Sequence, residues 1–134
     1  VTKTKEDDPS ITFNTCRRHV ACIAETKMLT TNSPWLTNVE EKTYKVPISH
    51  GEGRFVVGEE KLQELLDNEQ VVSQYVENYN GADYSIESIM SKDGKVIGKM
   101  GHSERFTPDI YKNIYDIELQ NLFKSAVEYF TKGL

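Results

Sequence analysis

Between Gly98 and Arg105 the chain reads Gly-Lys-Met-Gly-His-Ser-Glu-Arg, which sets His102 and Glu104 two residues apart at the end of a strand-like run. On an extended backbone the side chains of residues i and i+2 project from one face, so the spacing presents an imidazole and a carboxylate side by side. A carboxylate that fixes the tautomer of a histidine equips the ring as general base and acid, the half of a nucleophilic site that activates an attacking group. The other half, the nucleophile, is missing from this segment.

A second His-x-Glu pair stands at His50-Gly51-Glu52. If the two pairs converged, two imidazoles and two carboxylates would form a ligand set acceptable to zinc, manganese or iron, and the chain would be a metal-dependent hydrolase. The glycines on both sides of Glu52 favour a different reading, a loop whose backbone amides do the binding and which holds no metal. Cys16 and Cys22 are the only cysteines. On one continuous strand they would lie roughly 20 Å apart, at about 3.3 Å per residue, too far to pair. Two unpaired thiols suit a reducing cytoplasm. Neither has the Gly-x-Cys-x-Gly surroundings that place a nucleophile on a sharp strand-to-helix turn, so both are expected to be buried or half-buried strand thiols.

These groups must be positioned by a small scaffold. A chain of 134 residues supports one hydrophobic core. With 21 acidic against 16 basic residues and a net charge of −5, it has no basic footprint for nucleic acid or an anionic membrane. No apolar run approaches the roughly 18 residues of a membrane span, and no signal-peptide pattern opens the chain. Residues 1–10, charged and containing Pro9, read as a flexible lead-in. Alternation and β-branched residues predict one or two strands over 11–29. A long loop over 30–42 then carries the sole tryptophan, Trp35. Strands over 44–49 and 55–57 flank the turn that contains His50 to Arg54. Leu62, Leu65 and Leu66 predict a helix over 59–68, and three further strands follow over 71–77, 84–91 and 95–100. Asn80-Gly81 and Asp93-Gly94 are turn dipeptides, the second a strong hairpin signal. A closing helix over 117–132 is expected to turn Leu119, Leu122, Phe123, Val127 and Phe130 inward, with Gly133 as its cap. Strands that outnumber helices around one long terminal helix fit an α/β or α+β sheet layer.

Two blocks, Val46-Pro-Ile-Ser-His-Gly-Glu-Gly-Arg-Phe55 and Gly94-Lys-Val-Ile-Gly-Lys-Met-Gly-His-Ser-Glu-Arg105, resemble signatures of the glutaminase domain of the phosphoribosylformylglycinamidine synthases, glutamine-dependent enzymes of purine biosynthesis. Pro9-Ser-Ile-Thr-Phe-Asn-Thr15, Arg18-His19-Val20 and Ser33-Pro-Trp-Leu36 fit the same family. Tyr111-Lys-Asn113 and Ala126-Val-Glu-Tyr-Phe130 resemble its end in the long, single-chain form.

The resemblance implies an α/β fold, the C-terminal portion of a flavodoxin-like class I glutamine amidotransferase domain, with a mixed sheet and a long C-terminal helix, residues 1–134 forming one partial domain. In such domains a cysteine on a nucleophile elbow attacks the glutamine carboxamide, ammonia leaves, and a glutamyl thioester is hydrolysed to glutamate. His102 would be the catalytic base and acid and Glu104 its orienting carboxylate, while Ser49, Gly51 and Glu52 would hold the amino-acid end of glutamine. The chain itself would carry no cofactor. ATP and magnesium would belong to the synthetase domain, the partner that receives the ammonia in the cytoplasm and converts formylglycinamide ribonucleotide to its amidine. Two places depart from the family pattern: Arg17-Arg18-His19 stands where a glycine-containing sequence is expected, and the loop at Asn78-Tyr-Asn-Gly81 is short. The elbow cysteine would belong to a segment before Val1. The chain alone is therefore expected to have no glutaminase activity, and its unpaired sheet edge to favour a homodimer. An independent, non-catalytic module is the alternative.

Overall fold

The computed structural model describes residues 5–133; residues 1–4 of the expected lead-in fall outside the described residues. Residues 5–8 form a turn in which the Lys5 amide donates to the Asp8 carboxylate at 2.8 Å. Ser10 already belongs to β1 (Ser10–Thr12), so pairing begins where the lead-in was expected to end. β1 pairs antiparallel with β4 (Arg54–Val56) in a small separate sheet.

The main sheet has five strands in the order β3-β2-β5-β6-β7. They are β2 (Val20–Met28), β3 (Thr43–His50), β5 (Val71–Tyr75), β6 (Ile86–Met90) and β7 (Ile97–Lys99). The α/β class and the terminal helix match the expectation. The mixed sheet does not extend to these residues, because every described pairing is antiparallel. The connections explain the difference. Parallel neighbours need a crossover of a dozen or more residues that returns to the same sheet, and the one α-helix between strands among the described residues, α1 (Glu59–Asp67), leads instead from the small sheet to the large one. β6 and β7 form the hairpin predicted at Asp93-Gly94, closed by the Gly94 amide on the Ser91 carbonyl at 2.9 Å.

Strand β3 illustrates how pattern becomes position. Its sequence Thr-Tyr-Lys-Val-Pro-Ile-Ser-His alternates, and Tyr44, Val46, Ile48 and His50 are the buried members. Pro47 points the other way on an edge strand, where a missing N–H removes no ladder bond. Its free carbonyl accepts the His102 amide at 2.8 Å. His102 follows β7, the opposite edge, so the sheet curls until its two margins meet at that bond.

One apolar cluster gathers Met28, Leu36, Val39, Val46, Val72, Met90 and Leu122 beneath the 30–42 loop and the last helix. A second packs α1 through Leu65 against Phe55, Val71 and Ile86. The last helix, α2 (Leu122–Lys132), starts five residues later than predicted, and its buried face is Leu122, Ser125 and Ala126. Phe123, Val127 and Phe130 are exposed by more than half, and Leu119 precedes the helix. Anchoring by Leu122 and by the Asn38 amide on Ser125 Oγ at 2.9 Å sets this rotation. Phe123 and Phe130 instead meet the Trp35 ring edge-on, each at 6.5 Å between centroids. Among the described residues no helix is long and apolar enough to cross a membrane.

Candidate active site

His102 and Glu104 come together, but not through the pleat of a strand. β7 ends at Lys99, His102 has φ −91° and ψ 75°, and Ser103–Arg105 form a single tight helical turn. The chain has to leave the sheet here, because His102 must reach the Pro47 carbonyl of the far edge. Within the turn His102 Nδ1 lies 2.6 Å from Glu104 Oε1. Both side chains reach solvent, with 29% and 53% of their surfaces exposed. Partial burial opposes ionisation of Glu104, but the hydrogen bond from His102, a backbone N–H and the charges of His102 and Arg105 together hold its pKa below the usual carboxylate value. An ionised Glu104 makes Nδ1 the proton-bearing nitrogen. Nε2 is then left with its lone pair free, as a general base requires. A cavity of about 340 Å³ opens beside the pair, walled by Trp35, Ile97, Leu122 and Phe123.

The second His-x-Glu pair has a different arrangement. His50 is 7% exposed, and its Nδ1 lies 3.1 Å from Asn14 Oδ1. The Gly53 amide donates to the same oxygen at 3.3 Å, while Asn14 Nδ2 donates to the carbonyls of His50 and Arg18 at 2.8 and 2.9 Å. One buried asparagine thus organises the whole turn. The Gly53 backbone packs so closely on the His50 ring that no side chain could replace its hydrogen. Burial is the main cause that lowers the His50 pKa, with the neighbouring His19 and His102 acting in the same direction. His50 is therefore a neutral core histidine. Glu52 points into solvent, and among the described residues no three His, Cys, Asp or Glu side chains are grouped to hold a metal.

Of the residues expected to hold glutamine, Ser49 is half-buried with Oγ 2.9 Å from His19 Nε2, and the Gly51 carbonyl accepts the Asn14 amide at 2.9 Å. Ser49 and Pro47 share a face of β3 by their i, i+2 spacing, and Pro47 carries the His102 amide. One strand therefore connects the two turns. Sequence reasoning gave no role to Asn14, His19, Glu87 or Lys99. Each acts through a partner far along the chain, and no short-range pattern marks such contacts. Arg17, in the segment that departs from the family, adopts φ 53°, so the turn a glycine would make is made by an arginine in the left-handed region. The short loop is held by its asparagines: Gly81 donates to Asn78 Oδ1 at 2.9 Å, and Asn80 Nδ2 donates to the Gly53 carbonyl at 2.7 Å.

The two thiols lie in different settings. Cys22 lies half-buried on β2, as expected, and burial followed by the charge of Glu77 raises its pKa, which disfavours the thiolate. Cys16 is exposed in the turn before β2 rather than on a strand, with Sγ 3.6 Å from the Arg18 carbonyl. The strand expected to carry it is interrupted by the left-handed Arg17. Neither thiol hydrogen-bonds to His102.

Residues 1–130 match the family model of the CobB/CobQ-like glutamine amidotransferase domain. The chain belongs to this amidotransferase family. It is similar to the phosphoribosylformylglycinamidine synthase subunit PurQ of Prochlorococcus marinus (strain MIT 9312), 40% identical over 82 residues that make up 60% of this chain and 37% of the relative. The PurQ subunit of Corynebacterium jeikeium (strain K411) is 44% identical over 75 residues, 55% of this chain and 34% of that one. That of Methanococcus maripaludis is 34% identical over 116 residues, covering 65% and 43%. The amidotransferase chain thus spans less than half the length of these curated relatives. Its fold is similar to that of a chain in the structure of PurLQS from Thermotoga maritima, with a TM-score of 0.74 at 23% identity over 92% of this chain and 54% of that one.

Proposed function

We propose that this amidotransferase chain supplies the histidine–carboxylate part of a glutaminase site in phosphoribosylformylglycinamidine synthase. The observation that carries the reading is the 2.6 Å bond between His102 Nδ1 and Glu104 Oε1 in the block resembling that family's signature. Glu104 holds the ring with Nε2 unprotonated. Nε2 then removes the proton from a cysteine thiol presented by another segment of the enzyme. The thiolate attacks the glutamine carboxamide carbon, and the imidazolium returns the proton to the departing ammonia. In the second half-reaction the same nitrogen takes a proton from water, whose oxygen displaces the thiolate from the glutamyl thioester and releases glutamate. Ser49 and the backbone at Gly51 and Glu52 would bind the amino-acid end of glutamine. Ammonia would pass to a synthetase partner that uses ATP and magnesium to form the amidine from formylglycinamide ribonucleotide in the cytoplasm. The isolated chain would be inactive, and its strand edges would favour self-association. A monomeric mass at high micromolar concentration would refute that last point.

The test is covalent labelling by an electrophilic glutamine analogue, which selects a correctly placed thiolate through binding. In the enzyme that contains this chain, one cysteine outside Cys16 and Cys22 is expected to label in competition with glutamine, and His102→Ala to slow that labelling by at least about 100-fold, the usual scale of general-base assistance. In the isolated chain neither Cys16 nor Cys22 should label. Glutamine-competed labelling of either one, or an unchanged rate in His102→Ala, would refute the assignment.

A further inference from the structure

We propose that Glu87 and Lys99 are positioning residues for the His102–Glu104 pair: a buried ion pair whose bonds to the Gly101 amide and the Ser103 hydroxyl hold the backbone on both sides of His102. The functional meaning of this inference rests on the reading of His102 as the base.

Glu87 lies on β6 with its side chain wholly excluded from solvent, and Lys99, the last residue of β7, is 16% exposed at its side chain. A carboxylate seldom reaches such a position without partners. Ser73 Oγ donates to Oε2, the Gly101 amide donates to Oε1 at 2.6 Å, and Lys99 Nζ stands 3.6 Å from the same Oε1. Burial alone would raise the Glu87 pKa, yet the Lys99 charge and the donors Ser73, Gly101 and Ser88 lower it overall, so the group stays ionised. The ammonium donates to Ser103 Oγ at 2.8 Å and to Gln120 Oε1 at 3.0 Å, and the Glu87 carboxylate at 3.6 Å balances its charge. The lysine is committed to the interior, although it lines the cavity beside His102.

The bonds fall on consecutive residues. Gly101 is fixed by Glu87, the His102 amide by the Pro47 carbonyl at 2.8 Å, and Ser103 by Lys99 and by donation to Gln120 Oε1 at 2.6 Å. The fit at Gly101 is close, since a Cβ there would lie 2.8 Å from both Glu87 Oε1 and Val46 Cγ2. Every inward-facing group of the turn is therefore held, and the side chains of His102 and Glu104 are left to face each other at the surface. An exposed pair of this kind contributes little to its own order. A buried ion pair in turn is a poor source of stability compared with apolar packing, and setting a unique geometry is its better-attested use. The two observations are complementary: the rigid charged pair lies below and the reactive pair above, joined by one three-residue turn.

The experiment is NMR of the histidine side chains in the full chain, with His102 assigned by loss of its signals in His102→Gln. Wild type is expected to show His102 protonated at Nδ1 with a downfield, slowly exchanging proton in the bond to Glu104. In Glu87→Gln and in Ser103→Ala that proton signal should be lost and both tautomers should appear, while the backbone amide spectrum remains that of a folded chain. Leu65→Ala, which opens a cavity in the separate cluster under α1, should lower the unfolding midpoint yet leave the His102 signals unchanged. Wild-type His102 signals in folded Ser103→Ala or Glu87→Gln, or their loss in folded Leu65→Ala, would overturn the proposal. If Glu87→Gln does not fold, Ser103→Ala decides alone. Glutaminase chemistry does not enter the readout, so the labelling test can fail while this one succeeds, and the reverse.

Discussion

The chain writes His-x-Glu twice, and the two copies have opposite fates. At residues 50–52 the histidine is buried, its Nδ1 is matched to Asn14, and the glutamate points to solvent. At residues 102–104 the histidine reaches the surface and its Nδ1 is matched to the glutamate itself. The intervening and flanking residues decide between them. Gly53 lets its backbone pack directly on the His50 ring, while Glu52 between the two glycines points to solvent. In the second turn Ser103 is 5% exposed and anchored from below, so the residues on either side of it are driven outward and toward each other. A spacing of two therefore offers proximity without determining it, and the buried partners of the middle residue select which pair forms.

If the second turn is held from beneath, Lys99→Met should have the largest effect on stability. It leaves the Glu87 carboxylate buried without its cation, a loss of about 3–5 kcal/mol, to be measured by urea unfolding. Asn14→Ala attacks the first turn instead. It strips partners from His50 Nδ1, the Gly53 amide and two carbonyls, and should cost about 2–3 kcal/mol while leaving the His102 Nδ1–H resonance in place. Loss of that resonance would show the two turns to be one cooperative unit.

Acid separates the turns further. The His50 pKa is lowered by folding, so the unfolded chain binds the proton more readily than the native one. The stability associated with neutral His50 is complete above the free-imidazole value of about 6.5 and is lost as pH falls below it. Glu104 is also lowered, so its bond to His102 should persist throughout that window and fail only as pH drops through its depressed carboxylate value. Urea midpoints recorded against pH should therefore fall before the His102–Glu104 proton signal does, and the reverse order would contradict the assignment. The smallest stability change belongs to Glu104→Gln, within about 0.5 kcal/mol for an exposed group, although the same substitution should lose the Nδ1–H tautomer.

Much of this was legible in the residues. The alternation of β3, the Asp93-Gly94 hairpin and the helix at Leu62 to Leu66 declare themselves because period and turn chemistry are local signals. The predicted start of the long helix at 117 is too early because Ile117 and Leu119 extend its apolar spacing, whereas Gln120 is drawn into the Lys99 network and the helix begins only after Asn121. His102 and Glu104 were visible as a pair, but the turn that unites them was not, since it depends on a carbonyl at Pro47 on the opposite sheet edge. Asn14, Glu87 and Lys99 were invisible for the same reason. A polar residue gains its role from a partner that folding brings to it, and two of these three sit within strand-like runs that give no sign of one.

The most direct measurement of the central claim is steady-state amidation by the synthase proposed to contain this chain, assayed with glutamine and then with free ammonia as nitrogen source. If His102 is the base of a glutaminase site, His102→Ala should abolish glutamine-dependent turnover and leave ammonia-dependent turnover at the wild-type level. Retention of glutamine-dependent turnover in a folded His102→Ala enzyme would contradict the account.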